Sequence, residues 1–113
     1  MKRVIADGAV RAYLEAGRLA RRAAAADIAG DALTAWRLRK RAAVLAEAAF
    51  QALAPGCSAA LRGRVACRAA RYWYATGDWL AAEDVARRLL CAPGLADQHQ
   101  AQLRDMMRHH PVT

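Results

Sequence analysis

Arg71-Tyr72-Trp73-Tyr74-Ala75-Thr76-Gly77-Asp78-Trp79-Leu80-Ala81-Ala82-Glu83-Asp84-Val85-Ala86-Arg87-Arg88-Leu89-Leu90 decides the fold. It reads as one helix ending in aromatics, a Gly-Asp turn, and a second helix that starts at once. Gly77 suits the positive φ that closes a helix, and the Asp78 carboxylate suits the N-cap of the next one. Small residues at Ala82 and Ala86 let the second helix lie close against the first. The result is a helical hairpin built for packing, which points to an interaction scaffold and away from a catalyst.

The same grammar extends upstream. A first helix is expected from about Lys2 to Asp27, with Val10, Tyr13, Gly17, Ala20, Ala24 and Ile28 at alternating three- and four-residue steps as its buried face. Gly30 ends it and Asp31 caps the next helix. That second helix, about Ala32 to Leu53, carries two apolar seams: Trp36, Ala43 and Phe50, and Leu38, Ala42, Leu45, Ala49 and Ala52. A helix apolar on more than one side packs between neighbours. Pro55-Gly56 breaks the chain, and Ser58 caps a third helix, about Ala59 to Thr76. Its inner face is Leu61, Val65, Ala69 and Tyr72, flanked by Ala66, Ala70 and Trp73. The fourth helix spans about Trp79 to Cys91 and stops at Ala92-Pro93-Gly94. A fifth, about Asp97 to Arg108, turns Leu103, Met106 and Met107 toward the core, and His109-His110-Pro111 reads as a frayed tail. Short connections make antiparallel pairs. The expected fold is therefore all-α: two stacked helical hairpins, residues 2–53 and 58–91, covered by a C-terminal helix at 97–108, in one domain over residues 1–113.

Composition agrees. At 113 residues the chain is long enough for one core. Alanine is the best helix former, and β-branched runs that would argue for strands are nearly absent. Burial energy must then concentrate in Tyr13, Leu14, Trp36, Leu38, Leu45, Phe50, Leu61, Tyr72, Trp73, Trp79, Leu89 and Leu103, each worth roughly 1.5–3 kcal/mol if fully buried. The formal net charge is +8, and of the eighteen basic residues only Lys2 and Lys40 are lysine. Such a balance favours an acidic partner, while the Arg-over-Lys usage equally fits a GC-rich coding sequence. Cys57, Cys67 and Cys91 form no CxxC pair and are odd in number, so a reduced, cytoplasmic compartment is expected, with Cys67 and Cys91 as small buried apolar residues. Asp7, Arg11 and Glu15 interrupt any signal-peptide core, and no window of the chain is apolar enough for a membrane span.

The second hairpin resembles a tetratricopeptide repeat (TPR). Trp73 and Tyr74 late in one helix, the Gly77-Asp78-Trp79 turn, Ala82, Ala86 and the closing Pro93 fall near that repeat's places. Gly77 to Pro93 is one residue shorter than the usual pattern, and Leu89 stands where a small residue is expected. The likeness covers roughly residues 62–94. Residues 9–55 match only loosely: their helices are long, and Trp36 lies five residues beyond Asp31. That first pair equally resembles the helical hairpins of microtubule-interacting-and-trafficking domains. The TPR resemblance implies a groove that binds peptide segments or helices, without catalytic residues or cofactor.

Candidate sites emerge from charge and aromatics. Arg64, Arg68 and Arg71 lie at i, i+4 and i+7 and form a basic stripe with no acid on the same helix, suited to gripping carboxylates bidentately. Tyr74, off the inner face, is the expected anchor beside them. Arg37, Lys40 and Arg41 share one face of the second helix, with Glu47 two turns on, and suit phosphate contact. A solvated helix face is the competing reading of both clusters. Trp73 and Trp79 are expected in the core where the hairpin closes. The histidines His99, His109 and His110 do not converge as a metal site requires, Cys57 has no base at a motif spacing, the glycines form no phosphate loop, and adjacent Glu83 and Asp84 point apart. The expected function is a non-enzymatic adaptor, chaperone or small subunit, binding an acidic partner segment in a groove between the first and third helices. The alternative is a small basic nucleic-acid-binding protein using the second and third helices, and association into homo- or hetero-oligomers through a spare seam of helix two is a further reading.

Overall fold

The computed structural model describes the backbone of residues 2–54 and 56–111, and side chains from residue 8 onward. Pro55 and the side chains of Lys2, Arg3 and Asp7 therefore lie outside the described residues. The protein is all-α, with five helices among the described residues: α1 (Lys2–Ile28), α2 (Ala32–Ala52), α3 (Ala59–Ala75), α4 (Trp79–Leu90) and α5 (Asp97–His109).

Both hairpin turns have the expected chemistry. At the first, Gly30 has φ 82°. Its amide donates to the Asp27 carbonyl at 3.0 Å, and the Asp31 amide donates to the Ala26 carbonyl at 2.9 Å, the paired bonds of a Schellman motif. Asp31 then accepts from the Thr34 amide and starts α2. At the second turn Gly77 has φ 83°, but the outer bond is relayed through a side chain. The Asp78 amide donates to the Thr76 hydroxyl (3.2 Å), which donates to the Trp73 carbonyl (2.6 Å). Asp78 in turn caps α4 through the Ala81 amide.

The buried face of α1 is Ala9, Ala16, Leu19 and Ala23. The expected stripe was one position off: Val10 and Ala24 are exposed, Ile28 is 89% exposed, and Tyr13, Gly17 and Ala20 are half-buried. The reason lies in α2, which buries Ala35, Ala42 and Ala49 at the same seven-residue interval, with Leu38 between them. Two alanine stripes in heptad register let the backbones approach closely, and larger residues are displaced to the flanks. Leu19, Ala23, Leu38 and Ala42 form one core cluster, and Leu45 and Tyr72 join it to a larger one around Phe50, Val65, Ala69, Leu89 and Leu103.

The register decides several aromatic positions. Trp36 lies off the α2 stripe that meets α1 and upstream of the Glu47–Leu53 stretch that meets α3 and α4, so it is exposed, with the Lys40 ammonium 5.2 Å from its ring centroid. Leu14, off the α1 stripe that meets α2, is exposed as well. Both were expected in the core. Apart from Trp36, the two α2 seams are covered or half-covered within the chain, so they do not form a spare face for a second copy. Cys67 is buried as expected, but Cys91, at the C-cap of α4, is exposed.

The second hairpin is tied to its neighbours in two ways. Glu47 of α2 accepts from the Trp73 indole of α3 at 3.2 Å and pairs with Arg88 of α4 at 2.9 Å. Opposite, α5 packs its His99 ring directly on Gly63 of α3, and the Cys67 thiol donates to the His99 carbonyl at 3.5 Å. A Cβ at Gly63 would fall on the Nδ1 and Cγ atoms of that ring.

Gly63 and Gly17, both inside helices, should accordingly respond in opposite directions to alanine. Gly63→Ala must displace α5 and is expected to cost about 1–3 kcal/mol by overpacking. At Gly17 the added methyl meets only ordinary contacts with Arg21 and Tyr72. Gly17→Ala should therefore gain about 0.5–1 kcal/mol from helix propensity. Denaturant titration of both variants checks the pair, and His99→Ala should relieve much of the Gly63→Ala loss.

Candidate functional site

The outward face of α3 is the floor of a concave surface whose walls are α1 and α5. Helix α3 is started by Ser58, whose hydroxyl accepts from the Leu61 amide at 3.1 Å. Its inner positions Val65, Ala66, Ala69 and Ala70 are buried, which turns Arg64 and Arg71 outward and leaves Arg68 half-buried between the walls.

On the α1 side an open groove of about 700 Å³ is lined by Arg11, Arg18 and Arg21 of α1 with Arg68 and Tyr72 of α3, and by Tyr13 and Leu14 between them. The Arg68 guanidinium is 6.0 Å from the ring centroids of both Tyr13 and Tyr72, the outer range of cation–π attraction. Tyr72, with Tyr13, raises its pKa further above the ordinary value, against the pull of desolvation, so the charge is fixed. Among the described residues one carboxylate lines this groove, Glu15, which accepts from Arg18 at 2.9 Å. That bond holds its pKa below the usual carboxylate value.

On the α5 side, Arg64, Arg68 and Arg71 meet Gln98, His99 and Gln102 around a smaller pocket of about 260 Å³. Among the described residues none of these three arginines has an ion-pair partner. The stripe is therefore brought together as the sequence suggests, but it faces two spaces instead of one. Arg68 is the member common to both.

Tyr74 does not join them. It is 6% exposed, against the expectation of an exposed anchor, because the end of α5 folds back over it: the His110 ring stacks on Tyr74 at 4.8 Å and meets Trp79 edge-on at 5.0 Å. The tail read as frayed is thus a packed clasp at His110, whose Nδ1 lies 3.0 Å from the Met106 carbonyl. Burial pushes the Tyr74 phenol pKa up, with Glu83 adding to the shift, and its hydroxyl has no hydrogen-bond partner among the described residues. Trp79, expected in the core, is 43% exposed at the start of α4 because the clasp covers one side of the turn only.

The α2 cluster also divides. Lys40 and Arg41 line a shallow patch with Val44 and Leu45, Arg37 lies near the Asp31 cap, and Glu47 turns away to Trp73 and Arg88. Glu83 and Asp84 each pair with an arginine four residues on, Arg87 and Arg88. Another cavity, about 410 Å³ between α2, α3 and α4, has its charged groups already bonded: Glu47 to Arg88, and Arg62 to the Pro93 carbonyl. Burial raises the pKa of Cys67, which keeps that thiol protonated, with Arg71 opposing. Among the described residues no three His, Cys, Asp or Glu side chains are grouped to hold a metal ion, and no helix is long and apolar enough to cross a membrane.

Sequence reasoning missed Tyr13 and Tyr72 as groove residues because both are large and lie on apolar steps. It placed the groove between the first and third helices without naming the residues of the α1 wall, whose signal is legible in hindsight: Arg11, Leu14, Arg18 and Arg21 recur at alternating three- and four-residue steps. Comparison with family models, curated proteins and solved structures found no significant match.

Tyr74→Phe separates packing from binding at the clasp. Removing a buried hydroxyl without a partner should leave stability unchanged or raise it by about 1 kcal/mol. A drop in melting temperature would show that the hydroxyl has a hydrogen-bond partner in solution.

Proposed function

We propose that this chain is a non-catalytic protein–protein interaction module of TPR-like build, an adaptor or small subunit working in the cytoplasm. It binds an acidic partner segment in the groove between α1 and α3. The observation that carries the reading is a groove whose four guanidinium groups, Arg11, Arg18, Arg21 and Arg68, face, among the described residues, a single carboxylate already engaged by Arg18. Tyr13, Tyr72 and Leu14 add apolar area between the charges, and aromatic residues beside arginine are the usual carriers of binding energy. Arg68 holds the centre of the groove, steered by two rings and fully charged. The three free thiols agree with a reducing compartment.

A nucleic acid would use the same charges as phosphate contacts, but Arg37, Lys40 and Arg41 do not line this groove. Titration calorimetry with a synthetic Asp/Glu-rich peptide carrying one aromatic residue, and with a single-stranded oligonucleotide, separates the two at low and moderate salt. The peptide should retain measurable binding at moderate salt, and Arg68→Glu should weaken it at least tenfold, about 1.4 kcal/mol. Oligonucleotide binding should collapse between the two salt concentrations. Oligonucleotide binding that survives salt, with no peptide binding, would overturn the adaptor reading.

A further inference from the structure

The pocket between α3 and α5 has a composition of its own. Its polar lining is Arg64, Arg68 and Arg71 from one helix and Gln98, His99 and Gln102 from the other, with Ala60 and Cys67 completing it and no carboxylate. Every one of the six polar side chains carries at least one hydrogen-bond donor. Arg64 and Arg71 are exposed and have no ion-pair partner among the described residues, and the three guanidinium stems leave α3 within about 10 Å of helix length.

His99 is held by sterics. Its ring lies on Gly63 with the Nδ1 edge toward the glycine, and that nitrogen is buried without a partner among the described residues. The pocket, at about 260 Å³, is smaller than the roughly 300 Å³ at which sites for drug-sized ligands begin, so it suits one headgroup.

We propose that this pocket is a phosphoryl subsite of the groove, taking the phosphorylated serine or threonine side chain of the acidic partner segment. The inference rests on the reading of the groove as a protein-binding surface. A phosphomonoester brings close to two charges and three acceptor oxygens at neutral pH, which matches several convergent guanidinium groups better than the single charge and two oxygens of a carboxylate. Arg68, lining both spaces, makes them neighbours, so a phosphorylated residue and its flanking acids are held together. The compactness of the pocket favours one phosphoryl group on a side chain over the repeated phosphates of a polynucleotide.

The test uses the full chain and the variant Arg64→Gln/Arg71→Gln, which changes two exposed arginines and spares Arg68. Inorganic phosphate, titrated against chloride at constant ionic strength, should shift the amide signals of residues 98–102 in the wild type and not in the variant. A phosphoserine peptide with flanking Asp and Glu should bind the wild type at least tenfold tighter than its serine twin. The variant should lose that ratio while keeping the serine peptide's affinity. If phosphate leaves residues 98–102 unmoved and the two peptides bind the wild type equally, the subsite is overturned and the groove stands. If neither peptide binds, both readings fall. A single-stranded oligonucleotide that displaces the phosphopeptide at equal phosphate concentration would make the pocket a polynucleotide contact and also overturn the proposal.

Discussion

The close approach of α1 and α2 is the constraint on which the rest depends. Ala9, Ala16 and Ala23 on one helix and Ala35, Ala42 and Ala49 on the other are all essentially inaccessible to solvent. A methyl-to-methyl seam brings the helix axes to the short end of the usual range, about 8 Å, and gains dispersion along its whole length. Each alanine removes little area from water, so the seam is tight without being rich. Large residues do not fit on it. Tyr13 is turned to the flank facing α3, Leu14 to the outside, and Trp36 to an uncovered edge. The aromatic wall of the groove is thus a by-product of the seam.

The second hairpin is held by unlike devices on its two sides. Toward α2 the tie is polar: one carboxylate, Glu47, serves the indole of Trp73 and the guanidinium of Arg88 together. Such a group is strongly placed only while both partners are present, since a half-buried carboxylate or indole left alone loses its hydrogen bond without regaining water fully. Toward α5 the tie is mainly one of close packing: the absence of a side chain at Gly63, with the Cys67 thiol on the His99 carbonyl and the His110 ring on Tyr74. Between these two ties α3 has its outward face free, and that face carries the three arginines.

Helix number, the Gly30 and Gly77 turns, the caps at Asp31, Ser58 and Asp78, and the buried face of α3 were legible from residues alone, because backbone geometry and capping are local. The α1 register was not. Both candidate stripes recur at three- and four-residue steps, and only the alanine spacing of the partner helix distinguishes them. Arg64, Arg68 and Arg71 were readable as a stripe, but their division between two spaces depends on where α1 and α5 lie. Tyr74 was misplaced for the same reason: a residue off the inner face of its own helix is buried when a distant segment, here His110, returns to cover it. The contact between Gly63 and His99, thirty-six positions apart, leaves no local trace beyond a glycine inside a helix.

The unequal lengths of the hairpins have a mechanical consequence. Helices α1 and α2 span 27 and 21 residues, against 17 and 12 for α3 and α4. The turn between the longer pair, with Ala24, Ala25, Ile28 and Leu33 exposed around it, is held by the Asp27–Arg39 ion pair and by α1–α2 contacts, and its large apolar residues join neither core cluster. Like the free end of a cantilever, it is anchored at one end only. Opening can start there and run down the alanine seam as a zipper, so amide exchange should be graded along α1 and α2, fastest at residues 24–34 and slowest where α3 buttresses the pair.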